Sequence, residues 1–137
     1  MITAVDSNVL LDILGPDPTF GPASAITLRT AMRQGQLIAC EAVWAEVVHS
    51  FASAHAAQDA LKLLNIEFSP LTCEAALAAG IAWKTYRAAG GPRTRVVADF
   101  LIGAHALLQA ERLLTRDRGF YRSCFKHLEI LDPTKAR

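Results

Sequence analysis

Short apolar runs that alternate with longer segments of helical periodicity constrain the fold of this chain most strongly. The runs "ITAVD" (2–6), "QLIAC" (36–40), "RLLTRD" (112–117) and "LEIL" (128–131) are typical of strands, whereas "IEFSPL" (66–71) suits either a strand or a loop. Parallel strands need long crossover connections, which the helical segments between these runs supply. The pattern therefore predicts an α/β domain with a central, mostly parallel sheet of four or five strands.

The helical segments carry recognisable start and stop signals. Ser7 is a candidate N-cap for "SNVLLDIL", and helical spacing of apolar residues over 23–33 ends at a glycine. Residues 41–65 are alanine-rich and helical, with a break expected in the middle. Thr72 is a second candidate N-cap, and the segment before "RLLTRD" becomes helical by Asp99.

Length and composition predict a single domain over residues 1–137, since about 100–200 residues usually share one core. No uncharged run approaches the ~18 residues of a membrane span. The beginning "MITAVDSNVLLDIL" has no basic region and is not a secretory signal. Three scattered cysteines predict neither a disulfide framework nor a zinc site, and each is expected as a small buried hydrophobe. These features favour a cytoplasmic protein without membrane contact, and the 52% hydrophobic content favours an apolar surface that meets a partner.

Charge is distributed unevenly along the chain, although the net charge is only +1. Residues 1–80 carry three basic and eight acidic side chains, whereas residues 81–137 carry eleven basic and five acidic ones. A basic half indicates a partner that bears phosphates. The alternative is that these residues only solvate helix faces.

Four acidic residues fall where an open α/β sheet would gather a site. Asp6 ends the first strand, Asp117 follows "RLLT", Glu46 lies one turn into the helix after "LIAC", and Asp99 lies early in the helix before "RLLT". Ligands of such sheets bind at the carboxyl ends of the strands. A like-charge pair at about 4 Å costs about 4 kcal/mol at an effective dielectric constant near 20, so a carboxylate cluster must bind a cation or protons. Oxygen ligands without histidine or thiolate favour Mg²⁺ or Mn²⁺.

Each acid also has a purely structural interpretation. Asp6 could cap the helix that follows it, and Asp99 could favour a helix N-terminus through the dipole. Asp117 could pair with a neighbouring arginine on the surface, and Glu46 could be an exposed helix residue. Glu41 is a second acid at the start of the same helix.

The stretches "VDSNVLL", Glu46 in its helix, "ADFLIGAHAL" and "LLTRDRGFY" resemble the four signatures of PIN-domain ribonucleases, and most closely those of VapC toxins. The resemblance covers nearly the whole chain in order and spacing. It implies a PIN-like α/β/α sandwich and an acidic catalytic pocket. That pocket would comprise Asp6, Glu46, Asp99 and Asp117, with Asn8 and Thr115 as supporting polar residues.

The resemblance implies a Mg²⁺-dependent endoribonuclease that acts as the toxin of a toxin–antitoxin pair. One or two ions would bind between Asp6, Asp99 and Asp117, with Glu46 orienting or deprotonating the attacking water. Basic residues would attract the RNA backbone without sequence preference. The candidates for that contact are Arg87, Arg93, Arg95, Arg116 and Arg118, with Lys84 beside them.

Toxins of this family form homodimers and are inhibited by a cognate antitoxin, so both contacts are expected here. Residues 22–65 are the expected antitoxin surface, the alternative being that they bury against the sheet.

Three other functions are compatible with an acid at the end of the first strand. A phosphotransferase of the haloacid-dehalogenase type needs a second acid where this chain has Asn8, and a receiver domain needs paired acids and a late lysine beyond the strand ends, an arrangement that this sequence does not have. A catalytically silent PIN-like module that binds RNA or protein is the main alternative. Four intact acids argue against it, and RNA cleavage that a chelator blocks would separate the two.

Overall fold

The computed structural model, which describes residues 1–135, contains one five-stranded parallel sheet. The strands are β1 (Ile2–Val5), β2 (Gln36–Ala39), β3 (Ile66–Phe68), β4 (Arg112–Leu114) and β5 (Ile130–Leu131). Their spatial order is β3-β2-β1-β4-β5, and every neighbouring pair is parallel. The predicted α/β class is confirmed, and the ambiguous "IEFSPL" segment supplies the fifth strand by pairing with β2.

Seven helices connect the strands within residues 1–135, in a PIN-like α/β/α arrangement. They are α1 (Ser7–Leu14), α2 (Gly21–Gln34), α3 (Glu41–His49), α4 (Ala54–Leu63), α5 (Cys73–Ala88), α6 (Val97–Gln109) and α7 (Arg118–Cys124). None of them, over the described part of the chain, has the length and apolar character that a membrane crossing requires.

The helix boundaries follow local capping chemistry. The long helical segment breaks where predicted, because Ser53 begins a new helix by accepting the Ala56 N–H at 3.1 Å. Thr72 caps α5 as predicted. The Ser7 prediction was wrong by one position, since the N-cap of α1 is Asp6, whose carboxylate accepts the Ser7 N–H at 2.7 Å.

The order in which strands are added to the sheet changes direction at β1, and this change determines where the site lies. The strands β1, β2 and β3 run toward one edge, and the chain then returns to place β4 on the other side of β1. In parallel sheets such a change of direction leaves a crevice at the carboxyl ends of the two strands that flank it, here β1 and β4. The Asp6 N–H donates to the Leu114 carbonyl at 2.9 Å, so Asp6 is held at the mouth of that crevice.

The core fills both faces of the sheet with aliphatic and aromatic side chains. Leu10, Val43, Phe100 and Leu113 are fully buried. None of the three cysteines forms a disulfide, and Cys40 is buried as expected. Cys73 is exposed, which corrects the expectation that all three would be buried, because it occupies the first turn of α5 at the surface.

A candidate active site at the carboxyl edge of the sheet

The first pair of predicted acids, Asp6 and Glu46, meets through the hydroxyl of Ser7. Asp6 directly follows β1, while Glu46 lies in α3, the helix that follows β2. Ser7 Oγ lies 2.6 Å from Glu46 Oε1 and 3.4 Å from Asp6 Oδ1. A hydroxyl carries one proton, so it donates to the nearer carboxylate and leaves Asp6 without that donor unless a further proton is bound.

Thr115 connects Asp6 to the loop after β4. Its hydroxyl donates to Asp6 Oδ2 at 2.8 Å and accepts the Asp117 N–H at 3.0 Å. The Asn8 side-chain amide donates to both Asp6 Oδ2 and Thr115 Oγ1, each at 3.3 Å. Asn8 Oδ1 in turn accepts the Arg116 N–H at 3.2 Å. The two residues expected to support the pocket therefore join the ends of β1 and β4.

The carboxyl group of Asp6 is only 5% exposed, and burial raises its pKa to about 6. Hydrogen bonds from Thr115 and from the Ser7 backbone oppose the shift, and the negative charge of Glu46 adds to it. Burial in a low-dielectric site disfavours the charged form of a carboxyl group. Asp6 is thus poised between its two protonation states close to neutral pH.

The second pair, Asp99 and Asp117, meets around the guanidinium of Arg95. Arg95 Nη2 lies 3.2 Å from Asp117 Oδ1, and Nη1 contacts Asp117 Oδ2 and lies 3.9 Å from Asp99 Oδ2. Asp99 also accepts the Val96 N–H at 3.4 Å, as an acid in the first turn of α6. Burial raises the pKa of Asp99, while that hydrogen bond and the Arg95 charge oppose the shift.

Tyr121 lies between the two acid pairs. It is almost completely buried, and its pKa is raised well above the usual value, first by burial and then by the charges of Asp6, Asp99 and Asp117. The sequence did not predict the proximity of its phenol to three carboxylates. The sequence feature that could have indicated this proximity is the spacing, because Tyr121 stands one helical turn after Asp117.

Within residues 1–135, no three His, Cys, Asp or Glu side chains already surround one point as a ligand set. The acids instead form two pairs, one held by Ser7 and one by Arg95. The donor set still fits Mg²⁺ or Mn²⁺, because it consists of carboxylate oxygens, and one pair already holds a positive group between its members. Asp6, Asp99 and Asp117 are the residues that could hold such an ion.

The arginines expected at the RNA backbone occupy different surroundings. Arg116 forms a two-point ion pair with Asp12, at 2.7 and 3.0 Å, and its guanidinium stacks 4.0 Å from the Phe20 ring centroid. Arg95 belongs to the acid pocket. Asp117 consequently pairs with Arg95, which is distant in sequence, and not with an adjacent arginine as the structural alternative supposed.

A basic hollow of about 520 Å³ adjoins Asp117. Its cationic lining includes Arg118, Arg122 and Lys135, none of which forms an ion pair among the described residues. Arg93 is exposed on the connection between α5 and α6. Of the expected set, Arg118 is thus the member that adjoins the acids with its charge unpaired.

Glu41, the other acid of α3, does not belong to the pocket network. Its carboxylate accepts the Leu71 N–H at 2.9 Å and so ties α3 to the segment after β3. Glu46 is the α3 acid that reaches Ser7 and, through it, Asp6.

The whole chain can be compared with known proteins. The model of the PIN domain matches residues 3–126, while no curated protein sequence matches the chain. A chain of VapBC-1 from nontypeable Haemophilus influenzae superposes with a TM-score of 0.75 and 21% identity, covering 98% of this chain and 100% of that chain. A chain of VapBC2 from Rickettsia felis, bound to a promoter DNA fragment, gives 0.75 and 18%, covering 96% and 98%. A toxin–antitoxin complex from Klebsiella pneumoniae gives 0.68 and 17%, covering 98% and 99%. With the fold, the four acids and the family model in agreement, this chain belongs to the PIN domain family.

Proposed function

We propose that this protein is a Mg²⁺- or Mn²⁺-dependent endoribonuclease and the toxin of a toxin–antitoxin pair. The observation that carries the proposal is the grouping of Asp6 with Glu46, and of Asp99 with Asp117, around Tyr121 at the carboxyl edge of the sheet. Four carboxylates from distant parts of the chain, paired at one edge of the sheet, fit a cation-dependent reaction better than four unrelated structural roles.

The residues of the pocket would have different roles in hydrolysis. Asp6, Asp99 and Asp117 would hold the divalent ion, which lowers the pKa of water and stabilises charge on phosphate oxygens. Glu46 would orient or deprotonate the attacking water, since its Oε1 is held by Ser7 at 2.6 Å. Thr115 and Asn8 hold Asp6 and the Asp117 backbone in place and so keep the carboxylates oriented.

An RNA strand would approach along the basic hollow beside Asp117. Arg118, Arg122 and Lys135 can neutralise backbone phosphates without reading bases, so binding should weaken as salt rises. Arg87, in the last turn of α5, and Arg93, exposed on the connection that follows it, would add positive charge for this contact. Arg116 is less suited to this contact, because Asp12 already holds its guanidinium.

Cleavage of single-stranded RNA with Mg²⁺, with and without a chelator, tests the function. Replacing Asp6 or Asp99 with asparagine should lower the cleavage rate at least 100-fold while the far-ultraviolet circular dichroism stays unchanged. Asp59→Asn is the matched control, because Asp59 is an exposed acid of α4 paired only with His55. Cleavage that survives both substitutions, or that is insensitive to chelator, would refute the assignment.

A second candidate is a PIN-like module that binds RNA or protein without cutting. The contact of Arg95 with Asp117 favours it, since a guanidinium occupies part of the acid pocket. That function predicts retention of RNA on the purified protein with no new RNA ends in the presence of Mg²⁺ or Mn²⁺.

The proposed toxin role implies a cognate antitoxin that covers residues 22–65. Two large apolar side chains in this range are exposed, Ile26 at 48% and Leu63 at 83%. The Klebsiella pneumoniae neighbour is a toxin–antitoxin complex, which supports the same role here. Co-expression with the protein encoded beside this chain should give a co-purifying complex with suppressed RNA cleavage.

A further inference from the structure

Arg95 contacts both acids of the Asp99–Asp117 pair. Its guanidinium meets the Asp117 carboxylate at two points and approaches Asp99 Oδ2 to 3.9 Å. The same group lies 4.1 Å from the centroid of the Phe120 ring. Two-point arginine–carboxylate contacts are among the stronger charge-assisted hydrogen bonds, and the aromatic face adds a cation–π contact.

This arrangement puts a positive group where an ion shared by Asp99 and Asp117 would have to lie. The side chains of Arg95, Asp99 and Asp117 are only 30%, 24% and 33% exposed, so solvent screens their charges incompletely. A divalent cation between the two carboxylates would repel the guanidinium and compete with it for the same oxygen atoms.

The position of Arg95 in the chain allows the guanidinium to leave. It stands on the connection 89–96, outside α5 and α6, and its contacts to the pocket are made by the side chain alone. With the guanidinium between Asp99 and Asp117, no three possible ligand side chains among the described residues surround a single point.

We propose that Arg95 is the built-in counter-ion of the Asp99–Asp117 pair, and that a divalent cation binds there only as the guanidinium withdraws. The inference rests on the proposed metal-dependent function and deepens it, because it names the residue that sets the affinity of the pocket for the ion. Arg95 is accordingly a positioning residue of the acid pair and a competitor of the metal.

Mn²⁺ binding to the purified full chain, measured by electron paramagnetic resonance of the free ion, tests the proposal. Arg95→Gln should bind Mn²⁺ about tenfold more tightly than the unmodified protein. Arg33→Gln, which removes the same charge from an exposed position near the end of α2, at the opposite edge of the sheet, should bind as the unmodified protein does. Arg95→Lys keeps the charge without the two-point contact, so its affinity for Mn²⁺ should lie between that of Arg95→Gln and that of the unmodified protein.

Thermal unfolding supplies a readout independent of activity. Without metal, Arg95→Gln should have a lower Tm than the unmodified protein, because Asp99 and Asp117 lose their counter-ion. Saturating Mn²⁺ should raise its Tm by more than it raises that of the unmodified protein. In addition, the side-chain Nε–H signal of Arg95 should shift as diamagnetic Mg²⁺ is added.

Two results would overturn the inference. If Arg95→Gln binds Mn²⁺ no more tightly than the unmodified protein, while that protein cleaves RNA in a Mg²⁺-dependent manner, Arg95 does not compete with the ion and the proposed function stands. If neither protein binds Mn²⁺, the inference and the metal-dependent function fail together.

Discussion

Among individual residues, Thr115 illustrates how one small side chain can organise the pocket. Its hydroxyl donates once, to Asp6, and accepts twice, from Asn8 and from the Asp117 backbone. A hydroxyl has one proton and two lone pairs, so its hydrogen-bonding capacity is fully used. Because Thr115 is completely buried, no water molecule can substitute for these contacts without rearrangement.

Replacing Thr115 with valine should therefore damage both stability and activity. Valine preserves the shape but leaves the Asp117 N–H without its acceptor and removes the shorter of the two hydrogen bonds to Asp6 Oδ2, which should lower the free energy of unfolding by about 1–3 kcal/mol. RNA cleavage should fall at least tenfold, since Asp6 and Asp117 lose their common support. Urea denaturation and a cleavage assay measure the two effects.

Thr115→Ser is the matched control because it keeps the hydroxyl. It should retain most of the activity and lose only the contribution of one methyl group to stability. Equal activity of the valine and serine variants would show that the hydroxyl does not organise the pocket.

The raised pKa of Asp6 predicts that, in the absence of metal, the stability of the protein falls as pH rises. Its pKa rises from 3.8 to about 6 on folding, so the native state binds more protons than the unfolded state between these values. Stability then falls as pH rises through this window, by up to about 3 kcal/mol at 1.36 kcal/mol per pKa unit. The raised pKa of Asp99 acts in the same direction.

Urea denaturation between pH 4 and pH 7 in a chelating buffer measures this dependence. The Asp6→Asn variant, which has no group to titrate at this position, should show a flatter profile than the unmodified protein. A free energy of unfolding that rises steadily over the same range in the unmodified protein would contradict the burial argument.

At the level of elements, α6 carries Asp99 and must sit close to α7. Gly103 permits the approach, because a Cβ atom added there would lie 2.3 Å from Phe125 Cε2, well inside van der Waals contact. Phe125 is 5% exposed and its ring has little room to move. Gly80, in the middle of α5, provides a contrast, since an added Cβ would meet nothing within 4 Å.

Alanine substitutions at these two glycines should have opposite effects on stability. Gly80→Ala should stabilise the protein by about 0.5–1 kcal/mol, because glycine is unfavourable inside a helix. Gly103→Ala should destabilise it by about 1–2 kcal/mol, since overpacking against Phe125 outweighs the gain in helix propensity. Thermal and urea denaturation of both variants measure the difference, and equal shifts would argue against close packing of α6.

Across the whole molecule, the apolar composition leaves an uncovered surface on α5. Leu77 and Ile81 are 68% and 65% exposed, one turn apart, beside a mostly apolar hollow of about 630 Å³ that α5 forms with α6 and α7. This surface is separate from residues 22–65, the proposed antitoxin surface. If the chain forms the homodimer that the family resemblance implies, this exposed apolar face of α5 is the expected contact.

Charge introduced on this face should dissociate the homodimer. Light scattering should give twice the chain mass for the unmodified protein and the monomer mass for Ile81→Asp. Leu63→Asp, at a more exposed position of α4, should leave the dimer intact. A monomeric unmodified protein, or a dimer that tolerates Ile81→Asp, would contradict this assignment.

Local sequence patterns were sufficient to predict the succession of strands and helices along the chain and to single out the four acids. Apolar runs of strand length, capping residues and the place of Asp6 just after β1 are readable within a few residues. The break in the helical segment 41–65 was also predictable, and the structure places it between α3 and α4. Local patterns could not decide whether the segment 66–71 forms a strand or a loop, because its pairing with β2 makes it a strand.

The pairing of charges, in contrast, depends on contacts between distant parts of the chain. Arg95 and Asp117 are 22 positions apart, Arg116 and Asp12 are 104 apart, and Thr115 reaches Asp6 across 109 positions. A long arginine side chain can turn toward several carboxylates, and its choice depends on the packing of elements that the local sequence does not describe. The physical reason is that strand and helix patterns arise from neighbours along the chain, whereas ion pairs and hydrogen-bond networks arise from neighbours in space.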